Sequence, residues 1–148
     1  MQYSFKGSLG RLSHQVARDL GRYLENKFSQ AGYPVNNFQW AVLAYLTEHP
    51  YSCQKDIVHF LGTDKVMVKR ILDSLEQMGY VVRKEDDHDK RFNQLTITRQ
   101  GTVLFRKLEP LAVEVLKDAY RDIPEASLYQ CLDTMRLIMG NLDDFLHK

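Results

Sequence analysis

The sequence has no long apolar run, and no segment of it is expected to span a bilayer. Among its 148 residues are only two cysteines, Cys53 and Cys131, which are far apart and form no Cys-x-x-Cys pair. Reduced thiols are therefore expected. The opening stretch Met1-Gln2-Tyr3-Ser4-Phe5-Lys6-Gly7 lacks an apolar core followed by a small-residue cleavage site, and the expected location is cytoplasmic. There is no low-complexity stretch, flexible linker or repeat array. The marks of an enzyme are equally scarce. His14, His49, His59, His88 and His147 never fall at His-x-x-x-His spacing, and no cysteine is placed to complete a metal site. A Gly-rich phosphate loop, a nucleophile elbow and a framed pair of catalytic carboxylates are all missing. No metal, no cofactor and no catalytic activity are expected.

Net charge is scarce too, at +1, which alone gives no indication of nucleic acid. Its distribution says more. Residues 55–107 carry eleven Lys/Arg against eight Asp/Glu, whereas residues 108–148 carry four against eight. A basic middle with an acidic end suits a protein that meets phosphate with one part only. The hydrophobic content of 44% and charged content of 26% are those of a globular chain able to bury a core, as one domain or one compact two-lobed unit.

Helical periodicity dominates what is there. From Ser8 to about Ala31, Leu9, Leu12, Val16, Leu20, Leu24 and Phe28 recur at spacings of three and four, and Gly32-Tyr33-Pro34 stops the run. Asn36 with Gln39 reads as a capping box for a buried helix through Trp40, Ala41, Val42, Leu43 and Tyr45, ended by His49-Pro50. Ser52 is placed to cap a short helix from Cys53 to Leu61, with Ile57, Phe60 and Leu61 facing inward. Gly62 closes it, and Thr63 or Asp64 caps the next helix, Lys65 to about Met78. That helix has a buried stripe of Val68, Ile71, Leu72 and Leu75, opposite a face of Lys65, Val66, Met67, Lys69 and Arg70. Gly79 ends it. Residues 80–84 and 92–97 have strand composition, and the polar stretch Glu85 to Arg91 reads as a hairpin tip between them. Thr98 caps a further helix with Gly101 in its first turn. Two apolar-periodic runs follow, one expected to kink at Pro110 and one with Pro124 in its first turn.

Two short helices joined by a tight turn and followed by a two-stranded ribbon make a winged helix-turn-helix. The second helix of such a unit fits the major groove, and its exposed face carries the hydrogen-bond donors. Lys69 and Arg70 suit either guanine or phosphate, and Val66 and Met67 suit thymine methyl groups. The bland alternative is a solvated face, with Lys69 paired to Asp73 four residues on.

The segments Leu75-Glu76-Gln77-Met78-Gly79-Tyr80-Val81-Val82-Arg83, Asp89-Lys90-Arg91 and Leu95-Thr96-Ile97-Thr98-Arg99-Gln100-Gly101 together resemble the signature of the MarR family. The resemblance takes in the flanking long helices, and so about the whole chain. It implies a mainly α fold with a small β-hairpin wing. The winged helix-turn-helix lobe would occupy about residues 33–98, and helices at about 8–31 and 99–147 would form a dimerisation lobe. It also implies a homodimeric, sequence-specific regulator of transcription, a repressor, bound to pseudo-palindromic double-stranded DNA. On that basis the DNA-binding residues are Thr63, Asp64, Lys65, Val66, Met67, Lys69, Arg70, Asp89, Lys90 and Arg91. Arg91 would enter or flank the minor groove, where negative potential is concentrated, with Asp89 bracing the wing. The sequence departs from the family at Val66 and Met67, where small hydroxyl residues are common.

The family's usual switch is a small aromatic or phenolic ligand between the dimer helices and the DNA-binding lobe. The resemblance makes His14, Arg18, Trp40 and Tyr45 candidates to line that cleft, although aromatics at helical spacing also serve as plain core. Two other readings stay open. Cys53, at a helix start, or Cys131 would make the regulator redox-responsive, although Cys131 among Leu128, Leu132 and Met135 also reads as core filler. Alternatively the winged helix is a protein-interaction scaffold that binds no DNA, which the near-neutral charge and the acidic cluster Glu85-Asp86-Asp87-Asp89 favour.

Overall fold

The computed structural model describes residues 4–85, 88 and 93–147. Six helices and three short strands follow in the order α1 (Leu9–Gln30), α2 (Asn37–Glu48), β1 (Ser52–Cys53), α3 (Gln54–Leu61), α4 (Lys65–Gln77), β2 (Val81–Glu85), β3 (Asn93–Ile97), α5 (Arg99–Ala119) and α6 (Glu125–Leu146). The fold is mainly helical with one small antiparallel sheet, as the periodicity predicted. The chain divides into two compact units, Met1–Val115 and Leu116–Lys148.

The first unit holds the core. Its centre is Phe28 from α1, Val42, Leu43 and Leu46 from α2, Ile57 from α3, Val68, Leu72 and Leu75 from α4, Leu95 from β3 and Leu108 from α5. The second half of α1 and most of α5 thus belong to the same core as the helix-turn-helix. The stripe of α1 is divided: Leu24 and Phe28 are buried, while Leu9, Leu12 and Val16 are open to solvent. Trp40 lies between Phe28, edge-on at 5.5 Å, and Phe105, stacked at 5.0 Å, which binds α1, α2 and α5 together.

The helix boundaries follow from their caps. The Ser8 hydroxyl accepts the Arg11 N–H, and the Asn36–Gln39 capping box is complete in both directions, at 2.8 and 2.9 Å. Gly32, Gly62 and Gly79 all have positive φ where α1, α3 and α4 end, a conformation that costs glycine little.

Several local expectations are corrected. Ser52 does not cap α3. Its hydroxyl donates to the His49 carbonyl, and Ser52-Cys53 forms a third strand paired with Leu95 and Gln94 of β3. The sheet order is β1-β3-β2, so the ribbon is anchored on one side by the residues just before α3. A two-residue strand has too little periodicity to be read from sequence. The α3 cap is Cys53, whose N–H donates to the Asp56 carboxylate at 2.7 Å. Phe60 is not inward. It is half-exposed and packs its ring 4.5 Å from Tyr45, while Ile57 is buried and Val58 and Leu61 pack partly against the core. Pro124 is the residue before α6, one position earlier than expected, and α5 runs as one helix through Pro110.

The second unit is nearly all α6. It buries no residue fully, and Leu128, Leu132, Met135 and Ile138 are half-buried. Cys131 is exposed, contrary to its reading as core filler, since it lies off that stripe.

Candidate nucleic-acid interface

The position of α4 is fixed from below by four apolar residues and from its ends by polar groups. Val68, Ile71, Leu72 and Leu75 are buried against the core. At the N-terminus the Asp64 carboxylate accepts the Met67 N–H at 2.8 Å, so Asp64, and not Thr63, is the cap. Near the C-terminus the buried Gln39 amide of α2 donates to the Ser74 hydroxyl at 3.0 Å, a polar tie inside the packed interface. On the outward face Lys65, Val66, Lys69 and Arg70 are all exposed. Met67 is not part of that face. It is half-buried and packs on the core, one helical turn before Ile71. Thr63 is half-buried in the turn between α3 and α4.

The ribbon is tied to α4 by charge. Asp73 accepts from Lys69 Nζ at 2.6 Å with one carboxylate oxygen and from Arg83 of β2 at 2.8 Å with the other. Glu76 lies 3.5 Å from the same guanidinium nitrogen. The Lys69 and Arg83 hydrogen bonds, in that order, hold the Asp73 carboxyl below its ordinary value of 3.8. The Lys69–Asp73 pair expected from helical spacing is therefore present. The Arg83 contact was not foreseen, although strand alternation carries the signal: Val81 is buried, and Arg83, two residues on, lies on the same side of β2 toward α4. The paired strands run Val81↔Ile97 to Glu85↔Asn93. Asp89, Lys90 and Arg91 lie outside the described residues.

One hydroxyl fastens the base of the ribbon. Thr98 donates to the Gly79 carbonyl at 2.6 Å and accepts the Gly101 N–H at 3.0 Å, so it caps α5 while holding the end of α4. A β-carbon at residue 101 would collide with the Tyr80 carbonyl oxygen. The Thr-x-x-Gly motif therefore has a mechanical reason here.

A cavity of about 480 Å³ opens between α3 and the sheet, lined by Cys53, Lys55, Val58, Lys65, Arg83 and Leu95 among others. None of His14, Arg18, Trp40 or Tyr45 lines it. His14 and Arg18 are exposed on α1, where Arg18 pairs with Asp19 at 3.1 Å. Trp40 is committed to its aromatic stack, and Tyr45 packs between His49, at 4.3 Å, and Phe60. Among the described residues no group of His, Cys, Asp and Glu is arranged to hold a metal ion, and no helix is long and apolar enough to cross a membrane.

Residues 31–91, which include α2, α3, α4 and β2, match the sequence model of the MarR family. Over that stretch the chain is similar to the MarR family. Its relatives include the Escherichia coli transcriptional regulator PapX, 24% identical over 74% of this chain and 69% of PapX. Another is the transcriptional repressor MprA of E. coli K12, 28% identical over 56% of this chain and 47% of MprA, so the match spans about half of that protein. Among solved structures, BpsR of Bordetella bronchiseptica superposes with a TM-score of 0.81 at 17% identity, covering 94% of this chain and 98% of BpsR. That likeness establishes a shared fold. DNA binding by BpsR is regulated by 6-hydroxynicotinic acid. These curated relatives are regulators of transcription.

Proposed function

We propose that this protein is a MarR-family regulator, a homodimeric, sequence-specific repressor whose α4 helices enter successive major grooves of a pseudo-palindromic operator. The observation that carries the reading is the division of α4. Four residues fix it in the core, and Lys65, Val66, Lys69 and Arg70 are exposed on the outward face. A helix so presented has the diameter and the donors that a major groove accepts. Two lysines and an arginine neutralise phosphate or donate to guanine, and Val66 offers a methyl contact to thymine. The family resemblance adds Asp89, Lys90 and Arg91 to the DNA-contacting set.

Dimerisation is supported by apolar surface that the single chain leaves uncovered. On α1 these residues are Leu9, Leu12 and Val16, and on α6 they include Leu137, Met139, Leu142 and Phe145. Apolar area of this kind on two long helices is what a second copy covers in a symmetric dimer. The repressor role is supported by MprA, and release by a small aromatic acid by the regulation of BpsR. For such an effector His14 and Arg18 offer exposed polar groups on α1.

Selection of bound duplexes from a random library tests the reading. Two inverted half-sites about one helical turn apart are expected. Enrichment of no motif, or of a single asymmetric one, contradicts it.

A further inference from the structure

The grouping of Lys69, Asp73, Arg83 and Glu76 does more than tie the ribbon to α4. Lys69 is an exposed cation on the DNA-facing side, yet its ammonium is held by Asp73 at 2.6 Å. The pair is exposed, so a phosphate seated close to the ammonium competes with the Asp73 carboxylate, and a more distant one competes less well. What makes the exchange feasible is the second partner. When Lys69 leaves, Asp73 keeps Arg83 on its other oxygen at 2.8 Å, so its charge stays partly compensated by a guanidinium that it shares with Glu76. Arg83 also keeps Glu76 nearby, and the ribbon stays tied to α4 throughout.

We propose that Asp73 is a specificity-determining residue that withholds Lys69 from phosphate on non-cognate DNA and releases it on the operator. The inference rests on the DNA-binding reading above. Non-cognate complexes depend almost wholly on cations meeting phosphates, and a lysine held by a carboxylate contributes less to them. In the cognate complex, where α4 is seated, Lys69 makes its phosphate contact. Asp73 thereby widens the gap between cognate and non-cognate affinity without touching a base.

Each phosphate contact contributes about 0.9 to the slope of log K against log salt. The test measures that slope for the wild type, K69A, D73N, D73E and K69A/D73N, on the selected operator and on a scrambled duplex. K69A should lower the operator slope by about 0.9 and leave the scrambled slope unchanged. D73N should steepen the scrambled slope by about 0.9, so that between 50 and 200 mM salt its non-cognate binding falls roughly 3.5-fold more than the wild type's. Its effect should vanish in the K69A background, and D73E should behave as wild type. Equal loss of slope on both duplexes in K69A overturns the proposal, as does a D73N effect that survives without Lys69. The K69A comparison is decisive even should D73N fail to fold. A wild-type protein that binds neither duplex overturns the DNA-binding reading itself, whereas binding with equal K69A losses overturns this inference alone.

Discussion

A hydrogen atom at Gly101, where any other residue has a β-carbon, lets the first turn of α5 pass against the Tyr80 carbonyl. Gly101→Ala should therefore cost about 1–3 kcal/mol, the usual range for forcing a group into packed space. Urea unfolding checks this, and an unchanged midpoint would contradict the close approach. The cap of α4 is a second single-residue claim. Asp64→Ala removes the acceptor for the Met67 N–H and should cost about 1 kcal/mol. The same denaturation measurement serves. Charge at single residues also gives a pH signature. The Cys53 backbone N–H, followed by the Cys53 thiol, lowers the Asp56 carboxyl below 3.8, and Lys69 followed by Arg83 does the same for Asp73. Groups depressed by folding stabilise the native state above their unfolded value, and that contribution is lost as pH falls through their folded values. Stability should thus decline below about pH 4, and less steeply in D56N. An acid limb unchanged in D56N would show that the Cys53–Asp56 box contributes nothing.

At the scale of elements, long helices were the most legible features and short strands the least. The α2 capping box, the four-residue stripe of α4 and the turn glycines each depend on neighbours in sequence, and the structure contains each of them. Contacts set by distant residues were not legible. Strand β1 exists because β3 presents an open edge to Ser52-Cys53, and nothing local to those two residues says so. Met67 lies at the border between the two faces of α4, and its flexible side chain packs inward against the core. Phe60 turns the opposite way, its partner being Tyr45 at the surface. In the candidate site Lys65, Val66, Lys69 and Arg70 were legible, since they are simply the positions left over by the buried stripe. The Arg83 clamp required the ribbon to be placed beside α4 before it could be seen. An element-level prediction follows from Thr98, whose hydroxyl joins the end of α4 to the start of α5. Thr98→Val keeps the shape but leaves the Gly79 carbonyl and the Gly101 N–H unpaired, and should cost about 1–3 kcal/mol. Hydrogen exchange at Gly101 should accelerate in that variant, and protection equal to wild type would contradict the junction.

For the molecule as a whole, the pattern of exposure sets what must be satisfied elsewhere. A chain that leaves Leu9, Leu12 and Val16 of α1 and the apolar residues of α6 in solvent should associate. Light scattering at micromolar concentration is expected to give twice 17.3 kDa, and a monomer would remove the basis for a two-fold operator. Arg70→Ala should relax preference at particular bases, while Arg91→Ala should weaken binding with little change in preference.

All of this depends on the outward face of α4 lying in the major groove. Methylation interference on the selected operator probes that directly, because a methyl group on guanine N7 projects into the major groove alone. Interference is expected at symmetric guanines in both half-sites, with one position per half-site lost in the Arg70→Ala variant. Binding indifferent to guanine N7 methylation, in wild type and variant alike, would contradict it.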